Sequence, residues 1–364
     1  MQRLLSLATL AGLGGAVWMF LSGGGLNQLA VPPGGVGQPQ TQGIGLGLPG
    51  AWNGGPAAPA AAPFPAAGTP LVQPTTVGIA APALGDGPTF RIASFNIQTF
   101  GKSKAEDPRV IYTLAEIVRQ FSIVAIQEIH TQDDYHLPNF VRLINTSGKA
   151  PRKYDFVAGP RIGNSTSTEQ YAFVFDTERI MVDRNTVFTV GDPDNLLHRE
   201  PLVASFSTQI RADSAFTFTL VNVHTTPEPA ATLDAELNAL AEVYREVRRT
   251  GRGEDDVIML GDFNASDKRI RAHHRLGKLP GVIPLVRDVF SNTRQSELYD
   301  NLLVHQPSTT EYVGRSGVFN FGQQFNLSAA EAEQVSDHFP VWAEFSAYER
   351  DYTGGIARRG TNAR

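Results

Sequence analysis

Hydrophobic and polar positions follow different patterns along the chain, and the first pattern is an apolar run near the N-terminus. Leu4–Leu21 carries no charged side chain and is preceded by Arg3. The run is about long enough to cross the hydrocarbon core of a bilayer, which is ~30 Å thick. No cleavage site of small residues is evident after it. Residues 1–21 are therefore predicted to be either a cleaved signal peptide or a retained membrane anchor, with the rest of the chain secreted or anchored outside the cytoplasm.

Residues 22–88 are rich in proline, glycine and alanine and have almost no charge. Segments such as Val31–Gly35 and Pro56–Pro59 cannot continue a helix or a sheet ladder, because proline lacks a backbone N–H. This region has no apolar periodicity. The composition predicts a flexible linker.

Short apolar runs begin at about Phe90, and their length favours buried strands over helices. Several of them are apolar on both faces, as expected for strands that are covered on both sides. The predicted strands are Phe90–Phe95, Ile123–Ile126, Tyr171–Phe175, Phe216–Val223, Val257–Leu260, Tyr299–Val304 and Val341–Phe345.

Helical periodicity lies between some of these strands, at Val110–Phe121 and Leu233–Arg248. The apolar face of the second helix carries Leu233, Leu237, Leu240, Tyr244 and Val247. The alternation of strands and helices predicts a single α/β domain at residues 89–347. Residues 348–364 are basic and contain glycine, so they are predicted to be a disordered tail.

Composition excludes some chemistry and leaves the substrate open. The chain has no cysteine, so disulfides, thiolate nucleophiles and cysteine-bound zinc are excluded. With 31 Lys and Arg against 36 Asp and Glu, the composition does not indicate a surface that binds DNA by neutralising phosphates. The basic segment Lys268–Lys278 is predicted to be a solvated loop that includes His273 and His274. The alternative is that this segment contacts a nucleic-acid backbone.

Polar side chains lie at the ends of the predicted strands. Acids, amides and histidines in such positions share one edge of a sheet, where they are exposed but rigidly held. Each residue alone is a weak signal, since solvated strand ends are common. The set is Asn96, Glu128, His224, Asp262, Asn264, Asp300, Asp337 and His338.

These residue types suit the hydrolysis of a phosphodiester. A hard divalent cation with oxygen ligands can neutralise the phosphoryl group, and Glu128 is the best candidate ligand. Asn96 can orient that carboxylate or the ion. Asp262 and Asn264 can face the phosphate or the attacking water, Asp262 as a base and Asn264 as a neutral hydrogen-bond donor. The two histidines of the set can exchange protons near neutral pH. The expected ion is Mg²⁺, with Mn²⁺ as the alternative.

The segments around these residues follow one another in a specific order. They are Ser94–Gly101, Ile126–Glu128, Glu169–Phe173, Arg199–Leu202, Asn222–Thr225, Gly261–Ala265, Tyr299–Asp300 and Ser336–Val341. This order resembles the endonuclease/exonuclease/phosphatase superfamily and, within it, the deoxyribonuclease I branch. The resemblance covers about residues 89–347.

The resemblance implies a four-layer α/β sandwich, in which two packed, mostly antiparallel β-sheets are flanked by α-helices. It also implies roles for particular side chains. Glu169 should support His224, and Asp300 should support His338. Asp337 should belong both to the catalytic set and to the metal ligands.

The resemblance further implies a set of phosphate-binding or substrate-binding residues. They are Arg199, Asn264, Gln98, Asn301 and His130. The guanidinium fork of Arg199 matches two phosphate oxygens. Deoxyribonuclease I has arginine at the positions of Gln98, His130 and Asn301, and tyrosine at the position of Ser167. These departures predict a weaker grip on duplex DNA than in deoxyribonuclease I.

Asp192, Asp194 and Glu200 lie near a calcium loop of the family; a polar turn around Pro193 is the favoured interpretation, and a structural Ca²⁺ site is the alternative. The expected function is that of a Mg²⁺-dependent endonuclease acting on DNA. One alternative is another phosphodiesterase of the superfamily, acting on phospholipid head groups or RNA. The other is a non-catalytic surface adhesion module. The expected partners are DNA as substrate and a membrane if the N-terminal segment is uncleaved, and no protein partner can be inferred.

Overall fold

The computed structural model describes residues 88–148, 150–163, 168–211, 214–250 and 254–350. The predicted targeting segment, nearly all of the predicted linker, Ser167 and residues 351–364 lie outside the described residues, so what the sequence indicates for them stays a prediction. Within the described part of the chain, no helix is long and apolar enough to cross a membrane.

The described residues form twelve strands. They are β1 (Thr89–Phe100), β2 (Ile123–Ile129), β3 (Tyr154–Ile162), β4 (Glu169–Asp176), β5 (Ile180–Thr189), β6 (Leu202–Thr208), β7 (Thr217–His224), β8 (Val257–Asp262), β9 (Val282–Pro284), β10 (Asp300–His305), β11 (Tyr312–Val318) and β12 (Val341–Ser346). The helices are α1 (Lys102–Glu106), α2 (Pro108–Val118), α3 (His136–Thr146), α4 (Ala230–Thr250), α5 (Asp267–Ala272), α6 (Phe321–Gln324) and α7 (Ala329–Val335), with a short 3-10 helix at Leu276–Lys278.

The strands form two six-stranded sheets. The order is β11-β12-β1-β2-β4-β3 in the first sheet and β5-β6-β7-β8-β10-β9 in the second. Among these strands, β1 pairs with β2 and β7 pairs with β8 in parallel, and the other neighbours are antiparallel. The prediction of two mostly antiparallel sheets is therefore confirmed.

An aromatic core holds the two sheets face to face. Phe90 of β1 lies against Phe218 of β7, with ring centroids 5.6 Å apart. Phe206 of β6 stacks on the same ring at 5.8 Å. All three side chains are buried, and burying one large apolar side chain contributes about 1.5–3 kcal/mol. The core therefore fixes the relative position of the sheets.

Helices cover the outer face of each sheet and complete the four layers. The α2 helix starts with a side-chain cap, because Asp107 accepts hydrogen bonds from the N–H groups of Arg109 and Val110. Its apolar face and α3 pack on the first sheet. The α4 helix packs on the second sheet, and the apolar face predicted from Leu233 to Val247 is buried there.

The prediction of a solvated loop at Lys268–Lys278 is wrong. Its first part belongs to α5 and its last part to the 3-10 helix. His273 is buried, and its Nδ1 accepts hydrogen bonds from the N–H groups of Arg275 and Leu276. The side chain of His273 therefore stabilises the turn between the two helices. His274 is exposed, as expected.

The predicted start of the disordered tail is also too early. Tyr348 forms a β-bridge with Ala215, and the N–H of Glu349 donates to the carbonyl of Ser214. The folded part of the chain therefore continues to Arg350, beyond the predicted boundary at residue 347.

Candidate active site

The predicted polar residues meet at one edge of the sandwich. Because β7 and β8 are parallel, their carboxyl ends coincide, and His224 is paired with Asp262 in the register. Asp262 is in turn opposite Asp300, where antiparallel β10 begins. Glu169 is the first residue of β4, which also begins at this edge. The topology therefore gathers side chains that are far apart in the sequence.

The backbone of the first sheet is irregular at this edge. A β-bulge interrupts the pairing of β1 and β2 between Asn96 and Phe100. Gln98, Thr99 and Glu128 have φ values of 42°, 53° and 61°. Left-handed φ is uncommon for residues other than glycine, and such strain clusters at functional sites. In this conformation Oε2 of Glu128 accepts a hydrogen bond of 2.7 Å from the N–H of Thr99.

A buried carboxylate orients His224. Nδ1 of His224 lies 2.9 Å from Oε1 of Glu169, and Nε of Arg199 lies 3.2 Å from the same oxygen. Nε2 of His130 lies 3.5 Å from Oε2 of Glu169. Burial alone would raise the pKa of Glu169, but these cationic and hydrogen-bonding partners hold it well below its usual range. The ionised carboxylate keeps a proton on Nδ1 of His224 and leaves Nε2 for chemistry.

The second imidazole has an equivalent support. Nδ1 of His338 lies 2.8 Å from Oδ2 of Asp300, which also accepts a hydrogen bond of 2.6 Å from the hydroxyl of Ser291. Burial alone would lower the pKa of His338, but the charges of Asp300 and Asp262 outweigh it and raise this pKa to about 10. His338 therefore carries a proton at neutral pH. The structure brings both predicted carboxylate–histidine pairs into contact.

Both imidazoles face one carboxylate. Oδ2 of Asp262 lies 3.6 Å from Nε2 of His224 and 3.7 Å from Nε2 of His338. The same oxygen accepts a hydrogen bond of 3.0 Å from Nδ2 of Asn96. Asn264 is held beside it, because its N–H donates to Oδ1 of Asp262 at 2.9 Å. A phosphate at this point would have proton-exchanging groups on two sides.

Acidic oxygens suited to a metal ion lie beside this carboxylate. Oε1 of Glu128 accepts a hydrogen bond of 2.9 Å from Nδ2 of Asn96 and lies 3.9 Å from Nε2 of His224. Oδ1 of Asp337 is buried and has no hydrogen-bond partner among the described residues. Hard divalent ions prefer oxygen ligands, so Glu128 and Asp337 fit such an ion. Oδ1 of Asn96 accepts a hydrogen bond from the N–H of Gln98 and keeps a second lone pair for an ion, while its Nδ2 orients the two carboxylates.

Asp262, Asp300 and His338 are also close enough to share an ion. Direct ligation there would compete with existing hydrogen bonds, because Nδ1 of His338 and Oδ2 of Asp300 already bind each other. Nδ1 of His338 cannot hold a proton toward Asp300 and a metal ion at once, so only Nε2 of this histidine is open to an ion. This trio is therefore better described as a carboxylate–histidine pair facing a second carboxylate.

Lys104 of α1 belongs to the site, although the sequence gave no reason to select it. Its ammonium donates to the carbonyls of Ile97 and Val335, at 2.7 and 2.8 Å. Burial lowers its pKa to about 8, against the opposing charges of Asp337 and Glu128. This lysine ties the bulged end of β1 to the segment before Asp337. Its position on a separate short helix could not be read from a motif.

Two of the predicted substrate-binding residues face elsewhere. Asn301 is fully buried, and its amide exchanges two hydrogen bonds with the backbone of Val286. Its assignment to the substrate is wrong, because successive residues of a strand point to opposite faces and Asp300 takes the site face. His130 contacts Glu169 and thus extends the support of the first histidine pair.

The other predicted substrate contacts remain compatible with the site. Gln98 is partly exposed on the bulge of β1. Nε of Arg199 is engaged by Glu169, while its Nη1 is buried without a hydrogen-bond partner among the described residues. A phosphate oxygen would satisfy that nitrogen. Asn264 is partly buried with φ 46°, and its Nδ2 donates to the carbonyl of Thr225.

The alternative of a calcium site at Asp192, Asp194 and Glu200 is not supported by the structure. Among the described residues, the groups of acids and histidines close enough to share an ion do not include Asp192, Asp194 or Glu200. Oδ2 of Asp192 instead accepts a hydrogen bond from the N–H of Leu197, in agreement with the favoured polar turn.

Four of the five lysines and arginines of the Lys268–Lys278 segment form ion pairs with carboxylates. Arg269 pairs with Asp234 at 3.0 Å, Arg271 with Asp267 at 2.8 Å, and Arg275 with Glu242 at 3.2 Å. Lys268 pairs with Asp288 at 3.1 Å. These pairs reduce the positive charge that the segment could offer to a phosphate backbone.

Comparison with known proteins identifies the family to which this chain belongs. The model of the Endonuclease/Exonuclease/phosphatase family matches residues 93–338. The chain belongs to this family, and it is a hydrolase acting on phosphodiester bonds. Members of the family depend on a divalent metal ion, which agrees with the acidic oxygens at the strand edge.

The most similar curated relatives define the branch. The chain is 32% identical over 271 residues to deoxyribonuclease gamma of Rattus norvegicus, covering 71% of this chain and 85% of the relative. It is 32% identical over 264 residues to deoxyribonuclease-1-like 1 of Homo sapiens, covering 70% and 84%. It is 32% identical over 268 residues to deoxyribonuclease-1 of Sus scrofa, covering 70% and 90%. The chain is thus a deoxyribonuclease I-like member of the family.

Proposed function

We propose that this protein is a Mg²⁺-dependent endonuclease that hydrolyses DNA outside the cytoplasm. The observation that carries the chemistry is the convergence of two histidines on one carboxylate. His224 and His338 are each held at Nδ1 by a buried acid, and each presents Nε2 within 4.0 Å of Oδ2 of Asp262. DNA is proposed as the substrate because the relatives that match most of the chain are named deoxyribonucleases.

The residues of the site divide the work of hydrolysis. Glu128 and Asp337 would hold the ion, and a bound divalent ion supplies charge neutralisation at the phosphoryl oxygens. His338 holds a proton at Nε2 for the leaving oxygen, because its pKa lies above neutrality. Asp262 and Asn264 orient the attacking water and the phosphate.

His224 is proposed to take up the proton of the attacking water. The ionised Glu169 fixes its tautomer and stabilises the imidazolium that results, as a buried carboxylate does in other carboxylate–histidine pairs. Arg199 is proposed to bind a phosphate oxygen through Nη1. Each role is assigned to a group that is rigidly held before substrate arrives.

A second candidate substrate class is favoured because this chain lacks several of the residues expected to contact the groove of duplex DNA. Asn301 is buried, and the imidazole of His130 is engaged by Glu169, so this chain has fewer side chains available to contact a duplex. A phosphodiesterase acting on RNA or phospholipid head groups would not need those contacts. The test is to incubate the protein with plasmid, single-stranded DNA, RNA and phospholipid vesicles, each with Mg²⁺ and with EDTA. Nicking of plasmid only with Mg²⁺ supports the proposal, and hydrolysis confined to RNA or lipid contradicts it.

The proposed location rests on the apolar run Leu4–Leu21 after Arg3. Fractionation of the native host, with an antibody against the catalytic domain, tests it. Recovery in the membrane or the medium is expected. Full-length protein found only in the cytosol would contradict this part of the proposal.

A further inference from the structure

A separate cluster of carboxylates lies at the opposite end of the sandwich. Asp256 directly precedes β8, Glu311 directly precedes β11, and Glu349 follows β12. One acidic oxygen from each lies within 4.8 Å of the others. At ~3.3 Å per residue, β8 separates Asp256 from Asp262 by about 20 Å. The cluster is therefore distinct from the catalytic edge.

Buried oxygens without partners point into this cluster. Asp256 is 2% exposed and Glu311 is fully buried. Oδ1 of Asp256 and Oε2 of Glu311 have no hydrogen-bond partner among the described residues, and the same holds for Oγ1 of neighbouring Thr309. A buried polar atom without a partner costs about 1–3 kcal/mol, so native proteins rarely leave one. Here several oxygens of this kind occur together.

Two other oxygens of the cluster accept hydrogen bonds from the backbone. Oε1 of Glu311 accepts a hydrogen bond of 2.6 Å from the N–H of Arg350, and Oε2 of Glu349 accepts one of 3.1 Å from the N–H of Thr217. Among the described residues, no lysine or arginine nitrogen lies within 4.0 Å of a carboxylate oxygen of Asp256 or Glu311. Buried carboxylates without a cation repel one another.

We propose that Asp256, Glu311 and Glu349 bind a structural Ca²⁺ ion, with Thr309 beside it. Ca²⁺ takes oxygen ligands at 2.3–2.6 Å, so ligands on opposite sides of the ion lie about 4.6–5.2 Å apart. Three carboxylates that converge within 4.8 Å favour Ca²⁺ over Mg²⁺, because Mg²⁺ keeps several of its waters and is rarely held by a dedicated set of protein ligands. Glu349 is exposed and gives the ion a route from solvent. The ion would tie the chain after β12 to the start of β8 in a protein without disulfides.

The test compares the thermal unfolding of the full-length Glu128→Gln protein in EGTA and in excess Ca²⁺. The Glu128→Gln substitution is included because it weakens the proposed catalytic metal site. Thermal unfolding should shift up by roughly 5–10 °C at a hundredfold excess over Kd. Adding Glu311→Gln should abolish the shift, although in EGTA this variant should melt at or above its parent, because a repelling charge is removed. Glu178→Gln, an exposed glutamate paired with Lys153, is the matched control and should keep the shift.

Calorimetric titration with Ca²⁺ gives a second readout. One site is expected in the Glu128→Gln protein and none after Glu311→Gln is added. Equal responses to Ca²⁺ with and without Glu311→Gln would overturn the proposal. So would the absence of any response in both proteins.

The response should also depend on pH. Burial, reinforced by facing carboxylates that include Glu254, Asp255 and Glu349, raises the pKa of Asp256 to about 8 and that of Glu311 to about 7. Because these folded-state values are raised, the protonated cluster stabilises the fold at low pH, and this stability is lost as pH rises through 7 to 8. The Ca²⁺ shift should therefore be small at pH 6 and full at pH 9. A pH-dependent melting temperature that Ca²⁺ never alters would mean that the cluster holds protons only, which contradicts the proposal.

Discussion

Replacing Glu169 with glutamine tests the support of His224 while preserving side-chain shape. The carboxylate is 1% exposed and holds Nδ1 of His224 at 2.9 Å. A glutamine amide can donate a hydrogen bond to Nδ1 of His224. The proton of the neutral imidazole then lies on Nε2, which must be unprotonated if His224 is to act as the base. Loss of a correctly oriented base costs 10²- to 10⁴-fold in rate, so kcat should fall by roughly that factor.

The same variant should lose stability for a separate reason. Breaking a buried ion pair costs about 3–5 kcal/mol, and Arg199 retains 18% exposure, so we expect a loss of about 2–4 kcal/mol. For a domain of this size, that corresponds to a fall of roughly 5–15 °C in melting temperature. Glu236→Gln is a matched control, because among the described residues that buried carboxylate accepts hydrogen bonds only from backbone N–H groups and a hydroxyl. It should destabilise the fold while kcat changes by less than about tenfold.

The assay measures initial rates of plasmid nicking for Glu169→Gln, His224→Ala and the double variant. If Glu169 acts through His224, adding its substitution to His224→Ala should cost little more activity. A kcat for Glu169→Gln within tenfold of the wild type, or losses that multiply in the double variant, would refute the reasoning. The low pKa of Glu169 stabilises the fold above its ordinary value of 4.5, and this contribution is lost as pH falls. Acid unfolding of Glu169→Gln should lack that component.

Three further outcomes follow from the site. Glu128→Gln should abolish activity at ordinary Mg²⁺ because a neutral amide is a poor ligand for a hard ion, and near-normal turnover would remove Glu128 from the metal site. His224→Ala and His338→Ala should each cut the nicking rate by roughly two to four orders of magnitude, whereas the double variant should lose much less than the product; strict multiplicativity would indicate independent histidines. His130→Arg, alone or with Ser167→Tyr, should raise the ratio of the duplex cleavage rate to the single-strand cleavage rate, measured at two salt concentrations. An unchanged ratio would mean that the protein contacts duplex DNA through other residues.

The sequence predicted interior strands and failed at the sheet edges. The predicted runs correspond to β1, β2, β4, β7, β8, β10 and β12, all of which have neighbours on both sides. The four edge strands β3, β5, β9 and β11 were not predicted, and the interior strand β6 was missed as well. Edge strands are less completely buried, and in Ile180–Thr189 most positions are exposed or half-buried. Their sequences therefore lack the continuous apolar runs on which the prediction depended.

One error at the site could have been avoided with the sequence alone. Asp300 and Asn301 are consecutive in a strand, and alternation sends their side chains to opposite faces. Placing Asp300 in the site therefore removes Asn301 from it, as its hydrogen bonds to Val286 demonstrate. Resemblance to a family carries positions over without this geometric check.

By itself the sequence determined which residue types stand at strand ends, because burial and alternation are local properties of a strand. The tertiary structure decided which of them meet. Glu169 and His224 are 55 residues apart, and Asp300 and His338 are 38 apart. It also placed Lys104 near Asp337 and Glu128, His130 against Glu169, and Asp256 beside Glu311. Such contacts depend on strand order and on how elements cross, and both are fixed when the two sheets pack, not by any short segment.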